Sequence, residues 1–195
     1  MTAGSPALVL ASASPRRLEL LRQIGIVPAA VDSADLDERP RPRELPVLHA
    51  RRLAREKAEI VAARHPGAYV LAADTVVACG RRILPKAGNE GQARACLKLL
   101  SGRRHLVLGG VCVVAPDGRR GERLVRTAVA MKRFTSAEIE AYLASGEWLG
   151  KAGGYAVQGR AAAFVRFLSG SYSNVVGLAL FETLSVLVGL GWKSS

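Results

Sequence analysis

Between Leu8 and Leu21 the sequence runs Leu-Val-Leu-Ala-Ser-Ala-Ser-Pro-Arg-Arg-Leu-Glu-Leu-Leu, and this stretch sets the class of the fold. The apolar run Leu8 to Ala11 has the length and bounds of a buried strand. Ser12-Ala13-Ser14 breaks it, and Pro15, with φ preset for a helix, opens the next turn. Ser14 stands at the N-cap, where its hydroxyl is predicted to accept from otherwise unpartnered backbone N–H groups. Leu20, Leu21 and Ile24 then recur at helical spacing, and Gly25 follows as a C′ residue. Helix N-termini attract anions through free N–H groups and the macrodipole, and disfavour cations. Arg16 and Arg17 in that first turn are therefore either solvated or share a polyanion with the backbone, phosphate being the natural one.

The rest of the chain extends this α/β reading. Strand-like apolar runs recur at Tyr69–Ala78, Leu106–Ala115, Val125–Phe134 and Ala161–Phe167. Helical stripes lie between and after them. Val47, Ala50, Leu53, Ala54 and Val61 form one, and Ala93, Leu97 and Leu100 another. Thr135 to Glu138 has capping-box spacing ahead of Ile139, Tyr142 and Leu143, with Gly146 as the stop. A last helix is predicted to carry Leu180, Phe181, Leu184, Leu187 and Val188. Pro116-Asp117-Gly118 marks a hairpin turn. Strands alternate with helices and then cluster, which predicts a mixed sheet flanked by helices. No repeat or linker divides residues 1–195, so one domain is expected.

Composition narrows the partners. A net charge of +12, from 28 basic against 16 acidic residues, suits anionic ligands. The arginines are dispersed and only 5% of residues are aromatic, which argues against a nucleic-acid partner. No apolar run approaches the ~20 residues of a membrane span. Met1 to Ala7 lacks a basic stretch followed by an apolar block, so no secretory signal is expected. Cys79, Cys96 and Cys112 are odd in number and lack metal or redox spacing, which fits a cytoplasmic protein.

Several residues carry candidate chemistry. Asp74 lies inside the run Tyr69-Val-Leu-Ala-Ala-Asp-Thr-Val-Val-Ala, where a carboxylate is costly unless paired or metal-bound. It either activates water or ligates a metal, or caps a strand end in solvent. Asp37 and Glu38 belong to an acidic cluster. With Asp74 they would suit a hard cation such as Mg²⁺, or they form a solvated surface loop. Lys57 falls on the apolar face of its helix and needs an anion or a route to snorkel out. Lys86 leaves a strand-like segment, as a ligand or as surface. In Lys151-Ala-Gly-Gly-Tyr-Ala-Val-Gln-Gly, Gly153 and Gly154 permit close backbone approach, and Gln158 offers a donor and an acceptor to a pyrimidine edge. The P-loop, G-x-G-x-x-G, H-E-x-x-H and G-x-S-x-G motifs are absent, and His49, His65 and His105 show no triad spacing.

Taken in order, these segments resemble the Maf family of nucleoside triphosphate pyrophosphatases from about Leu8 to about Leu187. The matching stretches are Leu-Ala-Ser-x-Ser-Pro-Arg-Arg at 10–17, Asp37-Glu38, Arg55-Glu56-Lys57-Ala58, Ala73-Asp74-Thr75, Leu99-Leu100-Ser101-Gly102-x-x-His105, Lys151-Ala-Gly-x-Tyr-x-x-Gln-Gly159 and Val176-Gly177-Leu178. The resemblance implies an inosine-triphosphatase-like α/β fold with a cleft between two lobes. It implies metal-assisted hydrolysis, with Mg or Mn, of a nucleoside triphosphate to the monophosphate and pyrophosphate. Asp74 would activate water, Ser12, Ser14, Arg16, Lys57 and Lys86 would hold the triphosphate, and Glu38 would assist at the metal. A homodimer is compatible with the family.

Within that family the members acting on 7-methyl-GTP typically carry Trp, Gln and Glu where this chain has Arg16, Thr75 and Gln158. A cationic base suits an aromatic face and a carboxylate, whereas a neutral pyrimidine suits an amide. The chain is thus similar to the subgroup acting on dTTP and UTP. It departs from the family pattern at Pro85 and Ala87, where Gly and Pro are usual, at Gly109, where threonine is usual, and at Gly150, where aspartate is common. Activity is expected to survive these changes. The rival readings are a basic module that binds nucleic acid or septation proteins without turnover, and the same chemistry on a purine such as 7-methyl-GTP.

Overall fold

A computed structural model describes residues 6–193. The first five residues, on which the expectation about a secretory signal partly rests, lie outside them. Strand β1 (Leu8–Ala11) is buried along its whole length, as an apolar run bounded by a turn requires. Helix α1 (Pro15–Gln23) follows, and the chain returns in β2 (Ala30–Val31) parallel to β1. Gly25 takes φ +75° just past the helix, the left-handed conformation glycine adopts without penalty. Helix α2 (Pro46–Arg64) leads into β3 (Tyr69–Cys79), which pairs parallel to β1 over Leu8 to Ala11.

Strand β3 turns back at Gly80 into the short β4 (Arg82–Leu84), and α3 (Glu90–Leu100) precedes the long strands β5 (Arg104–Val114) and β6 (Arg120–Met131). These two pair antiparallel across the predicted turn, where Gly118 has φ +83°. Strand β6 begins five residues before the apolar run that announced it. Its first half carries Arg120, Glu122, Arg123 and Arg126, charges that an apolar count passes over.

Helix α4 (Ser136–Ala144) starts at a complete capping box. Glu138 N donates to Thr135 Oγ1 at 3.2 Å, and Thr135 N donates to Glu138 Oε2 at 2.9 Å. The run Ala161–Phe167 is not a single strand. Its first part is a 3-10 turn over Arg160–Phe164, and β7 spans Val165–Ser169 at the edge beside β6. Helices α5 (Tyr172–Val176) and α6 (Leu180–Gly189) close the fold. Helix α6 forms where expected but buries Thr183, Val186 and Leu187, while Phe181, Leu184 and Val188 face outward. The helix is apolar nearly all round, so periodicity cannot choose a face. The choice is made at Gly121 of β6, where a Cβ would lie 2.6 Å from Val186.

The result is a mixed sheet of seven strands, ordered β2-β1-β3-β5-β6-β7 with β4 extending β3. Helix α2 covers one face, packing Ala54, Ala58 and Val61 on Val70, Ala72 and Cys112. It comes so near that a Cβ on Gly110 would stand 2.2 Å from the Ala50 carbonyl oxygen. The other face carries two separate groups of helices. Residues of α1 and α6 pack over Leu71, Ala73, Val111 and Val113, and residues of α3 and α4 over Val77, Val107 and Val129. The long strands run beneath both groups, and a cleft opens between them. Among the described residues no helix is long and apolar enough to cross a membrane.

Candidate active site

The cleft exists because β3 loses its neighbour midway. Strand β1 pairs with it only as far as Ala72, and β4 takes up the same side from Val77. Residues 73–76 lie in the gap, at the carboxyl end of the parallel strand β1, where open sheets leave room for ligands. Alternation then sends Asp74 to the α2 face and Thr75 to the α1 face.

Asp74 is buried in mid-strand and does not cap a strand end, because β5 pairs with β3 right through this point. Its charge is met by Lys57 of α2, whose Nζ donates to Oδ1 at 2.6 Å. Lys57 is itself buried and does not snorkel. Its Nζ also lies 2.6 Å from Glu38 Oε1, and the other Glu38 oxygen meets Lys86. Asp74, Lys57, Glu38 and Lys86 therefore form a row of alternating charge from the sheet out to the cleft mouth. Burial pushes the Glu38 carboxyl up, but Lys57 and Lys86 outweigh it and hold it at about 2. Asp37 stays outside this row, exposed and paired with Arg39 at 2.7 Å.

The loop that delivers Glu38 is tied to α2 by buried charges. Arg52 donates to Glu44 at 2.7 and 2.9 Å and to Glu56 at 2.9 Å, and it reaches the Arg39 carbonyl at 3.2 Å.

On the opposite wall, the turn after β1 differs from its predicted capping. Ser14 is the N-cap of α1 by backbone conformation, yet its side chain caps nothing. Its N–H instead donates to Ser12 Oγ at 3.2 Å. Ser12 Oγ also accepts from Arg17 Nη1 at 3.0 Å. Arg17, expected to be solvated or to share a polyanion with the backbone, is instead buried, with its N–H groups taken by protein oxygens. Its Nε donates to the Gly177 carbonyl at 2.8 Å and its Nη2 to Thr75 Oγ1 at 3.3 Å, while Thr75 donates to the same carbonyl. A usable signal was present: Arg17, Leu20 and Leu21 fall at i, i+3 and i+4, the buried stripe of α1. Burial lowers the guanidinium's pKa, partly offset by the charges of Asp74 and Glu38. Arg16 faces the cleft beside it.

The far wall is the loop 150–158. Gly150 N donates to the Ala87 carbonyl at 2.8 Å, Ala87 N to the Lys151 carbonyl at 3.1 Å and Gly153 N to the Pro85 carbonyl at 3.0 Å. The departures Pro85 and Ala87 thus sit in a segment clamped by main-chain bonds on both sides of Lys86, which also bridges to Ala152. Gly150 has φ +66°. Gln158 is exposed on the cleft wall near Tyr155. Gly109, opposite Thr75 on β5, makes way for Asn174, since a Cβ there would fall 1.8 Å from Asn174 Oδ1.

The fold thus gathers Ser12, Ser14, Arg16, Glu38, Lys57, Thr75, Lys86 and Gln158 on one cleft of about 210 Å³, with Asp74 behind Lys57. Among the described residues no group of three His, Cys, Asp or Glu side chains converges as a metal site. Two carboxylates, Glu38 and Asp74, do share one ammonium, and a magnesium-type cation asks for one or two carboxylates completed by phosphate oxygens.

A cleft lined by cations around a buried acid–lysine pair suits an anionic ligand, and residues 7–190 match the family described as Maf-like protein. The chain belongs to the Maf family. The dTTP/UTP pyrophosphatase of Paramagnetospirillum magneticum is 68% identical over 185 residues, covering 95% of this chain and 97% of that protein. Those of Caulobacter vibrioides and Rhodospirillum rubrum are each 62% identical, covering 98% of this chain and 99% and 91% of theirs. Among solved structures, a nucleoside-triphosphatase described as a dITP/XTP pyrophosphatase from Mycobacterium abscessus aligns at a TM-score of 0.37 and 20% identity, over 66% of this chain and 76% of that one.

Proposed function

We propose that this chain is a single-domain pyrophosphatase that hydrolyses dTTP and UTP to the monophosphate and pyrophosphate. The observation that carries the reading is the buried Asp74–Lys57 pair opening onto a cleft rich in cations, in a chain 68% identical to a dTTP/UTP pyrophosphatase. Lys57 engages Oδ1 of Asp74 and leaves Oδ2 to accept a proton from water. The water oxygen bonds to the α-phosphorus. The bond from that phosphorus to the α–β bridging oxygen breaks, and pyrophosphate leaves with the electron pair. Ser12, Ser14, Arg16 and Lys86 position the phosphates, and positioning with charge neutralisation is most of what such a transfer requires.

A divalent cation, Mg²⁺ or Mn²⁺, would be held by Glu38 and Asp74 with phosphate oxygens, and would supply further charge neutralisation. Asp37, turned to Arg39, adds no ligand as placed. Arg16, Thr75 and Gln158 select the base. Gln158 presents donor and acceptor to a neutral pyrimidine, and Thr75 is oriented from beneath by Arg17.

A panel of nucleoside triphosphates with Mg²⁺ or Mn²⁺, scored by pyrophosphate release, tests the reading. Preference for dTTP and UTP is expected, and Asp74→Asn is expected to lower kcat by about 10²-fold or more. Preference for purines or 7-methyl-GTP refutes the substrate assignment. Salt-dependent DNA binding without turnover of any nucleotide refutes the enzyme.

A further inference from the structure

Five cations line the cleft: Arg16, Arg17, Lys57, Lys86 and Lys151. Lys57 and Lys86 are already met by Asp74 and Glu38. Arg17 spends its N–H groups on neutral oxygens of Ser12, Thr75 and Gly177. Arg16 and Lys151 remain, and among the described residues neither forms an ion pair. The Lys151 ammonium reaches only the carbonyl of Leu149, at 3.0 Å, two residues back in its own loop. Both residues line the same cleft, and burial first and the charge of Arg16 second push the Lys151 pKa down, with Glu147 opposing. Its backbone, by contrast, is fully engaged. Lys151 N donates to the Trp148 carbonyl at 3.0 Å, and its own carbonyl accepts from Ala87 at 3.1 Å and Gly154 at 2.9 Å. The fold therefore holds the loop through the main chain and leaves the side chain free for a ligand.

We propose that Lys151 is a substrate-binding residue that, with Arg16 on the same cleft, grips the polyphosphate of the nucleotide. Two unpaired cations held near each other are stabilised by an anion between them, and a phosphoryl group accepts from both at once. This rests on the reading of the cleft as a triphosphate site, and it adds a fourth kind of contact to the hydroxyls, the helix N-terminus and Lys86.

The test uses the whole chain and two probes, dTTP and inorganic pyrophosphate. Lys151→Met is expected to raise KM for dTTP about tenfold or more, the scale of one charged hydrogen bond. It is expected to weaken pyrophosphate binding by a similar factor in calorimetry, with kcat reduced less and Tm unchanged. Lys151→Arg is expected to restore both to within a few-fold, which a purely structural role would not produce. KM and pyrophosphate affinity unchanged within twofold in Lys151→Met overturn the proposal. So does equal loss in Lys151→Arg and Lys151→Met accompanied by a lowered Tm. The two readings separate cleanly. If the unaltered chain turns over no dTTP or UTP while pyrophosphate binding still falls in Lys151→Met, the anion site stands and the substrate assignment fails.

Discussion

Lys57 shows how one side chain serves packing and chemistry together. It joins two carboxylates that would otherwise repel, and it does so where water is scarce. Removing one partner of a buried pair costs about 3–5 kcal/mol. Lys57→Met is accordingly expected to lower stability by that order in urea denaturation and to abolish turnover. A variant that loses turnover at unchanged stability would show that the carboxylates relax apart without it. His105 is a second informative residue. Its Nε2 lies 2.8 Å from the Tyr155 hydroxyl, its Nδ1 has no partner, and burial lowers its pKa from 6.5 to about 4. Between those values the unfolded chain binds the proton that the folded chain refuses. Stability is therefore full above about pH 6.5 and falls as pH drops toward 4. His105→Gln is expected to flatten that slope in a series of denaturation midpoints across this window, and an unaltered slope would contradict the assignment.

At the scale of elements, glycines decide how closely helices approach the sheet. Gly109 and Asn174 compete for one volume, since a Cβ at 109 would lie 1.8 Å from the Asn174 amide oxygen. Gly109→Thr is expected to destabilise by about 1–3 kcal/mol through overpacking. Asn174→Ala has its own cost, because Asn174 Nδ2 donates to the Val107 carbonyl at 3.2 Å and to Thr127 Oγ1 at 3.0 Å, but in that background the further cost of Gly109→Thr is expected to vanish, a coupling measurable in a double-mutant cycle. Additive effects would mean that α5 simply moves. Most elements were legible in the sequence, because α2, α3, β3 and the α4 capping box announce themselves by period or by paired polar residues. The segment before β7 was not, because an alanine-rich apolar run fits either a turn of helix or a strand. The buried face of α6 was hidden by the helix being apolar all round. The site was legible wherever a charge interrupted an apolar pattern, as at Asp74 and Lys57. The residue pattern alone could not separate Asp37 from Glu38, which only the family resemblance singled out, because adjacent loop residues point in directions set by the tertiary ties of Glu44 and Arg52.

For the whole molecule, a net charge of +12 surrounds a cleft whose Arg16 and Lys151 form no ion pair among the described residues. Such a field raises the local concentration of a polyanion and weakens as salt shortens its range, from a Debye length of about 30 Å at 0.01 M to about 10 Å at 0.1 M. KM for dTTP is expected to rise across that range with kcat nearly constant. A flat KM would assign binding to short-range contacts alone. The row Asp74, Lys57, Glu38 and Lys86 reaches beyond catalysis into heredity, because it joins β3, α2, the loop after β2 and the segment after β4. Losing Glu38 takes a partner from both Lys57 and Lys86, and losing Lys57 strands Asp74. Descendants of this sequence that keep turnover are therefore expected to hold these four positions together, while the exposed Asp37 and Arg39 drift one at a time, which sequencing a mutant library selected for activity would show.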